Sequence, residues 1–311
     1  MSGEGAILAG KYQLADIAGT GGMATVWRAV QHGPAGFERT VGVKLIRDEL
    51  AHDPSFVAMF VEEARVSAQL IHPNIVQVYD FGEDGGRYFL VMEWIDGMSL
   101  SQLVRIVHDR GAATPWVLVA AVAMEALRGL AAAHERRDPR GQIAPVFHRD
   151  VTPQNILLSA SGVVKLSDFG LARATDRARM TAPDVIKGKI GYLAPELTRA
   201  PDPTPQSDMY SLGVVMWQAL AGQKLFQGKD EVEVFRSASR GEVPPLAELR
   251  DDVPAELAAI VERSLALDPG DRFDSALQMS RVIARVLRAL DQDADARVVA
   301  EAVAEAMGRT N

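Results

Sequence analysis

Two textures of apolar and polar positions divide this chain. Up to about residue 95 the apolar positions alternate in short runs separated by glycine turns, the pattern of half-buried strands. Lys11 to Ile17 reads as a strand, Gly19-Thr20-Gly21-Gly22 as a tight loop, and Ala24 to Val30 as the return strand. Thr40 to Ile46 alternates as a third strand. From Pro54 onward Phe56, Val57, Phe60, Val61, Ala64 and Ala68 recur at helical spacing. Ile75 to Asp80 and Arg87 to Glu93 read as two more strands about the turn Glu83-Asp84-Gly85-Gly86. The prediction is a five-stranded sheet with one long helix.

After Gly97 the period lengthens. Residues 100–107, 116–134, 208–220, 256–267 and 275–290 read as amphipathic or buried helices. Residues 291–311 carry Val298, Val299, Ala302, Val303 and Met307 at helical spacing, which predicts one more helix, packed on this half or against a partner. The pattern therefore predicts an α+β protein: a small sheet-rich N-terminal lobe, a short hinge, and a larger, mainly helical C-terminal lobe. A β-poor connector is expected between residues 134 and 208.

Composition narrows the chemistry. The chain has 311 residues, 48% of them hydrophobic, a formal charge of −8 and no cysteine. The acidic balance argues against nucleic acid as the primary partner. Without cysteine, disulfides, thiolate catalysis and Cys-based zinc sites are excluded, in keeping with a reducing cytoplasm. Residues 1–5 lack the basic region of a secretory signal. The apolar stretches 115–124 and 209–222 fall short of the ~18–20 residues that span a bilayer. The expectation is a soluble, cytoplasmic protein with no membrane span.

The candidate chemistry lies in His148-Arg149-Asp150 through Asn155, followed by Asp168-Phe169-Gly170. A carboxylate, an amide and a second carboxylate at this spacing are what phosphoryl transfer from ATP requires: one group to orient the attacking hydroxyl and two oxygen ligands for magnesium. The loop Gly19-Thr20-Gly21-Gly22 lies between two predicted strands, so it is not a dinucleotide fingerprint. Taken alone it reads equally as a phosphate cradle or as a plain turn, and Lys44 in its apolar strand reads alone as a solvent-facing lysine.

Together these residues resemble the motif set of protein kinases, and the phrase GTGGMATVW with the hinge Val91 to Gly97 is most similar to the bacterial serine/threonine protein kinases. The resemblance covers about residues 11–290, with 11–95 as the N-lobe, 96–290 as the C-lobe and 291–311 as a helical extension. It implies ATP and Mg2+ as cofactors and Ser/Thr hydroxyls of proteins as acceptors. By this match Gly19, Gly21 and Gly22 lie over the phosphates, and Ile17, Val26, Gly42 and Leu157 enclose the adenine. Met92 is the gatekeeper, and the main chain of Glu93 and Ile95 bonds the base. Lys44 clamps the α- and β-phosphates. Its partner is Glu63, although Glu62 is adjacent and only one of the two can face inward. Asp150 accepts the substrate hydroxyl's proton, and Asn155 with Asp168 binds the metal.

The resemblance further implies that His148 is a packed structural histidine and that Arg149 faces a phosphorylated loop residue, Thr181 or else Thr175. It also implies that Asp208 braces the catalytic loop and that Glu196 of Ala194-Pro195-Glu196 pairs with Arg272. The last two features imply a peptide-docking ledge and hence a protein substrate.

Three departures stand out. Gly42 replaces the usual alanine, a small loss of contact beside the adenine. Residues 135–147 form a long connector with the turn Asp138-Pro139-Arg140-Gly141. The family's catalytic-loop lysine and ledge threonine are exchanged: Thr152 occupies the first position and Lys189 the second. The expectation is that Lys189 carries its charge to Asp150, with Thr152 helping to hold it by a hydrogen bond. The second reading, prompted by Thr152, is a nucleotide-binding pseudokinase that acts as a scaffold. Nothing in the pattern speaks to dimerisation.

Overall fold

A computed structural model describes residues 3–169, 189–198 and 202–309. The chain divides into two compact units. Among the described residues the first comprises 3–71 and 76–95, and the second 72–75, 96–169, 189–198 and 202–309.

The first unit is an antiparallel sheet with one helix. Its strands are β1 (Ile7–Leu8), β2 (Tyr12–Thr20), β3 (Ala24–His32), β4 (Glu38–Ile46), β5 (Val78–Asp84) and β6 (Arg87–Glu93), in the spatial order β1-β2-β3-β4-β6-β5. The sheet thus has six strands where five were expected. The extra one is two residues long and pairs Ile7 with Gln13, too short to show an alternation. Strand β5 begins at Val78 because Ile75 instead bridges Leu166 in the second unit. One face buries Tyr12, Leu14, Trp27, Val41, Val43, Phe89 and Val91. The other packs Ala24, Ile46 and Leu90 against Phe60 and Ala64 of α1 (Pro54–Ser67). Helix α1 starts where sequence chemistry says it should. Asp53 accepts from Ser55 N at 2.8 Å and Pro54 occupies the first turn, where a missing N–H costs nothing.

The second unit contains a small sheet and seven helices among the described residues. Strands β7 (Gly97–Ser99), β8 (Ile156–Ser159) and β9 (Val164–Leu166) form an antiparallel ribbon. The connector expected to be β-poor therefore contains a hairpin, and that hairpin separates the two metal-ligand candidates. The helices are α2 (Leu100–Asp109), α3 (Trp116–His134), α4 (Pro205–Ala221), α5 (Glu231–Arg240), α6 (Ala255–Ser264), α7 (Ala276–Ala289) and α8 (Ala296–Ala306). Helix α5 was not expected.

Helix α3 is 19 residues long and runs through Glu125 and Arg128, well beyond the apolar run read from the sequence. By length and composition it would pass for a membrane span, but 72% of its most apolar window is buried inside the protein. A helix apolar all round is the usual centre of a core, and α3 packs against α4, α7 and α8. Helix α4 is nearly as buried. Thr204 and Ser207 cap its start reciprocally, and Gly222, at φ 67°, ends it in the left-handed conformation. The long connector is itself ordered as a narrow hairpin: Arg137 bridges Ile143, and Asp138 Oδ1 accepts from the N–H groups of Arg140 and Gln142.

Candidate active site

In the first unit, register sets the candidate nucleotide residues. Val26 lies opposite Lys44, and Gly42 lies opposite Met92. The glycine loop begins two residues later than expected, because pairing continues through Gly19 opposite Val26 and Thr20 opposite Thr25, and Gly21 N donates to Ala24 O at 2.9 Å. A Cβ added at Gly19 would meet nothing within 4 Å. That space above the strand is what a phosphate-approaching backbone needs. A Cβ added at Gly42 would lie 3.2 Å from Met92 Cγ and 3.4 Å from its Cε, so the methionine side chain packs close to the place of the missing methyl.

Lys44 and Glu63 form a buried pair, Nζ to Oε1 2.6 Å, with 6% and 2% of their surface exposed. The helix selects between the two glutamates. Met59, Phe60, Glu63, Ala64 and Ser67 are its buried positions, spaced three and four apart. Glu62 is turned toward Arg65, 3.6 Å away, in an exposed i,i+3 pair. Burying two charges is tolerated only when they face each other, and removing one partner of such a pair costs about 3–5 kcal/mol.

In the second unit Asp150 and Asn155 are both buried. Asn155 Nδ2 donates to Asp150 O at 2.9 Å and to Asp150 Oδ2 at 3.0 Å. With its nitrogen so engaged, the amide presents its oxygen on the opposite side. Asn155 leads directly into β8, and Asp168 follows β9 by two residues, so one hairpin carries both oxygen donors. Arg149 (φ 67°) and Asp168 (φ 62°) adopt left-handed backbone conformations that cost a non-glycine residue on the order of 1–3 kcal/mol and concentrate at functional sites.

Asp208, buried on α4, holds the loop in that shape. Its carboxylate accepts from His148 N and Arg149 N, each at 2.8 Å, and from His134 Nε2 at 2.8 Å. Burial pushes this carboxyl up, but the His134 hydrogen bond, the nearby histidines and the Arg149 N–H outweigh it and hold it below the usual range. His134 was not anticipated. It ends α3, and nothing in its sequence context distinguishes it from any other helix-terminal histidine.

His148 is fully buried, its ring 4.4 Å from that of Phe169. Burial drives its pKa down against the opposing pull of Asp208, Asp150 and Asp168. Its Nδ1 accepts from Asp150 N at 3.3 Å, which fixes the neutral ring with its proton on Nε2.

The ledge is tied down separately. Arg272 Nη1 and Nη2 meet Glu196 Oε1 and Oε2 at 2.7 and 2.8 Å, and the guanidinium also donates to the carbonyls of Gln206, Ala266 and Leu267. Tyr192 OH donates to Gln218 at 2.7 Å, and Ser211 Oγ donates to Tyr192 O at 2.7 Å. Lys189 Nζ lies 2.5 Å from Asp150 Oδ2. Thr152 does not assist it: its hydroxyl is buried and has no hydrogen-bond partner among the described residues. Leu157 lies in β8. Thr175, Thr181, Gly170 and Gly188 fall outside the described residues.

The sequence model of the protein kinase domain matches residues 12–282, and the chain belongs to that family, whose members use ATP and a divalent metal. Tyrosine-protein kinase MasK of Myxococcus xanthus (strain DK1622) is 39% identical over 267 residues, 86% of this chain and 41% of that protein. Serine/threonine-protein kinase PknL of Mycobacterium tuberculosis (strain ATCC 25618 / H37Rv) is 37% identical over 276 residues, 89% of this chain and 65% of its own length. Among solved structures, the Mycobacterium tuberculosis PknI kinase domain superposes with a TM-score of 0.67 at 27% identity, covering 92% of this chain and 99% of that one. The chain spans about two fifths to two thirds of the length of the curated relatives it matches.

Proposed function

We propose that this chain transfers the γ-phosphoryl group of ATP, with Mg2+, to serine or threonine hydroxyls of proteins in the cytoplasm. The observation that carries the reading is the Asp150–Asn155 pair on a loop whose strained backbone is braced by Asp208. Strain of this kind concentrates at active sites, ligand clamps and switches, and here it accompanies the acid and amide that phosphoryl transfer needs. The buried Lys44–Glu63 pair in the first unit supports the same reading, as do the names of the relatives, most of which are serine/threonine kinases.

The donor set fits magnesium. Asp168 and the amide oxygen of Asn155 are hard oxygen ligands, and no group of three or more His, Asp or Glu side chains among the described residues could hold an ion unaided. A two-ligand protein site completed by phosphate oxygens and water is the usual magnesium arrangement. When bound, the ion neutralises charge on the phosphates. The chain's own residues do the rest. Lys44, fixed by Glu63, holds the α- and β-phosphates. Asp150 accepts a hydrogen bond from the acceptor hydroxyl and orients its oxygen toward the γ-phosphorus. The new O–P bond forms as the bond to the β,γ-bridging oxygen breaks. ADP leaves with that electron pair, and the hydroxyl proton passes to Asp150 and then to solvent.

The test is incubation with MgATP and a generic basic protein, read by intact mass and phosphoamino-acid analysis beside the Asp150→Asn protein. Phosphoserine or phosphothreonine that is absent with Asp150→Asn is expected. Equal mass gain in both proteins, or none in either, removes the proposal, and phosphotyrosine alone moves the acceptor toward the activity for which MasK is named. Peptide mapping of the same protein shows whether Thr175 or Thr181 is an autophosphorylation site.

A further inference from the structure

The catalytic carboxylate has a cation against it that does not come from its own loop. Between Asp150 and Asn155 the loop carries Val151, Thr152, Pro153 and Gln154, none of them charged. The ammonium at 2.5 Å belongs to Lys189, 39 residues further along the chain. Asp150's side chain is 5% exposed and that of Lys189 is 46% exposed, so the lysine reaches inward from the accessible side.

The contacts are unequally shared between the two carboxylate oxygens. Oδ2 accepts from both Lys189 Nζ, 2.5 Å away, and Asn155 Nδ2 at 3.0 Å. No described residue donates to Oδ1. The terminal torsion of an aspartate is broad and soft, so a carboxylate held by a single donor samples many orientations. Two donors converging on one oxygen fix it and leave the other to face an incoming hydroxyl.

We propose that Lys189 is a positioning residue for phosphoryl transfer: with Asn155 it pins Oδ2 of Asp150, so that Oδ1 is presented to the substrate hydroxyl. The proposal rests on the kinase reading above.

The fold explains how a residue so remote in sequence is aimed. Lys189 O accepts from Tyr192 N at 3.0 Å in a short 3-10 turn over Ile190–Tyr192. That turn is attached to α4 by Ser211 and Gln218. The catalytic loop is attached to the same helix by Asp208. Positions 208, 211 and 218 fall within roughly 80° of one another around a helix of 3.6 residues per turn, so one helix face carries both partners of the pair. Thr152 is buried and, among the described residues, without a hydrogen-bond partner.

Four proteins test this: wild type, Lys189→Met, Lys189→Arg and the double exchange Thr152→Lys, Lys189→Thr. Each is followed by melting temperature, by nucleotide affinity and by steady-state kinetics on a protein substrate. Methionine keeps most of the length and loses the charge. Lys189→Met should lower kcat on the order of 10²-fold, the range for removing a preorganised electrostatic contact. Nucleotide affinity and melting temperature should change little. Lys189→Arg should retain more activity than Lys189→Met, because the charge survives though its geometry differs. An active wild type with Lys189→Met equally active or faster overturns the proposal, the faster outcome meaning that the ion pair blocks Asp150. Should Lys189→Met not fold, the double exchange decides: recovery of activity supports a cation beside Asp150, and a folded but inactive protein counts against it. Failure of the kinase reading looks different, since wild type and Asp150→Asn would then be alike.

Discussion

The C-terminal helix lies beyond the matched family segment, which ends at residue 282, yet it is built into the second unit, and one glycine exposes that. Gly162, in the turn between β8 and β9, has φ 86°, and a Cβ there would lie 1.8 Å from the carbonyl oxygen of Ala296 and 2.5 Å from its carbon. The backbone of the turn and the start of α8 are thus closer than any other residue would allow. At the far end, Arg110 donates to the carbonyls of Glu305 and Ala306, which satisfies orphan acceptors and complements the helix dipole. Between the ends, Val299 and Val303 are 1% and 0% exposed.

Gly162→Ala puts two costs against this docking. The left-handed backbone costs alanine about 1–2 kcal/mol, wherever α8 sits. The overlap with Ala296 arises only while α8 is docked. Burial of two valines contributes roughly 3–6 kcal/mol gross, offset by the ordering of the helix, so net docking is small enough for a backbone clash to reverse. We expect Gly162→Ala to reduce hydrogen-exchange protection of amides 299–306 by at least about tenfold, the equivalent of ~1.4 kcal/mol. The decisive comparison adds truncation after Asp291. In the truncated protein, Gly162→Ala should cost only the backbone strain, and the excess in the full chain is the coupling. Equal urea midpoint shifts with and without the tail, together with undiminished protection of the helix, would refute the reasoning.

Two further outcomes follow from buried charge. Arg272→Ala leaves three carbonyls and Glu196 without their donor, and should cost about 3–5 kcal/mol by urea denaturation; a loss under about 1 kcal/mol would mean the ledge is not held here. His148 is kept neutral by burial while the unfolded chain takes up a proton near about pH 6.5. Its contribution is therefore intact above that pH and is lost as pH falls toward the lower folded value, by up to about 1.4 kcal/mol per pH unit. Melting temperatures of wild type and His148→Phe between pH 5 and 7.5 check this, the difference between them varying with pH only below about 6.5.

Elements with strong periodicity were legible in the sequence, and those defined by their neighbours were not. Helix α3 could be bounded from Trp116 to His134 because apolar residues run through every turn of it. Helix α5 was missed although its cap residues were there to read. Asp230 accepts from Glu233 N at 2.9 Å, and Gly241 ends the helix at φ 65°. Its apolar residues, Val232, Val234, Phe235 and Ala238, form too short a series to separate helix from loop. Strands β7, β8 and β9 have three or four residues each, below the length at which alternation carries information. At the site, motif spacing singled out Lys44, Asp150, Asn155, Asp168, Glu196 and Arg272; the structure pairs Asp150 with Asn155 and Glu196 with Arg272, and the burial face of α1 gives Lys44 its partner Glu63. The expected Thr152 contact failed for a local reason: its side chain is turned into the core, 1% exposed, and the ammonium arrives from the solvent side.

The position of Lys189 bears on how a catalytic centre tolerates an exchange of residues. A group's usefulness at Asp150 depends on where its charge lies and how rigidly it is held, not on which segment supplies it. A lysine from the loop and one from the ledge are equivalent only if loop and ledge keep a fixed relation. In this chain α4 provides it, because Asp208 bonds the loop while Ser211 and Gln218 bond the ledge. Slippage of either by an ångström would stretch a 2.5 Å contact to about 3.5 Å, beyond good hydrogen-bond length, and loosen the hold on Oδ2. The capped start of α4, its burial on nearly every side and the Arg272 anchor beside it make such slippage expensive. The same bracing that holds the strained Arg149 conformation is thus what permits the cation to come from 39 residues away.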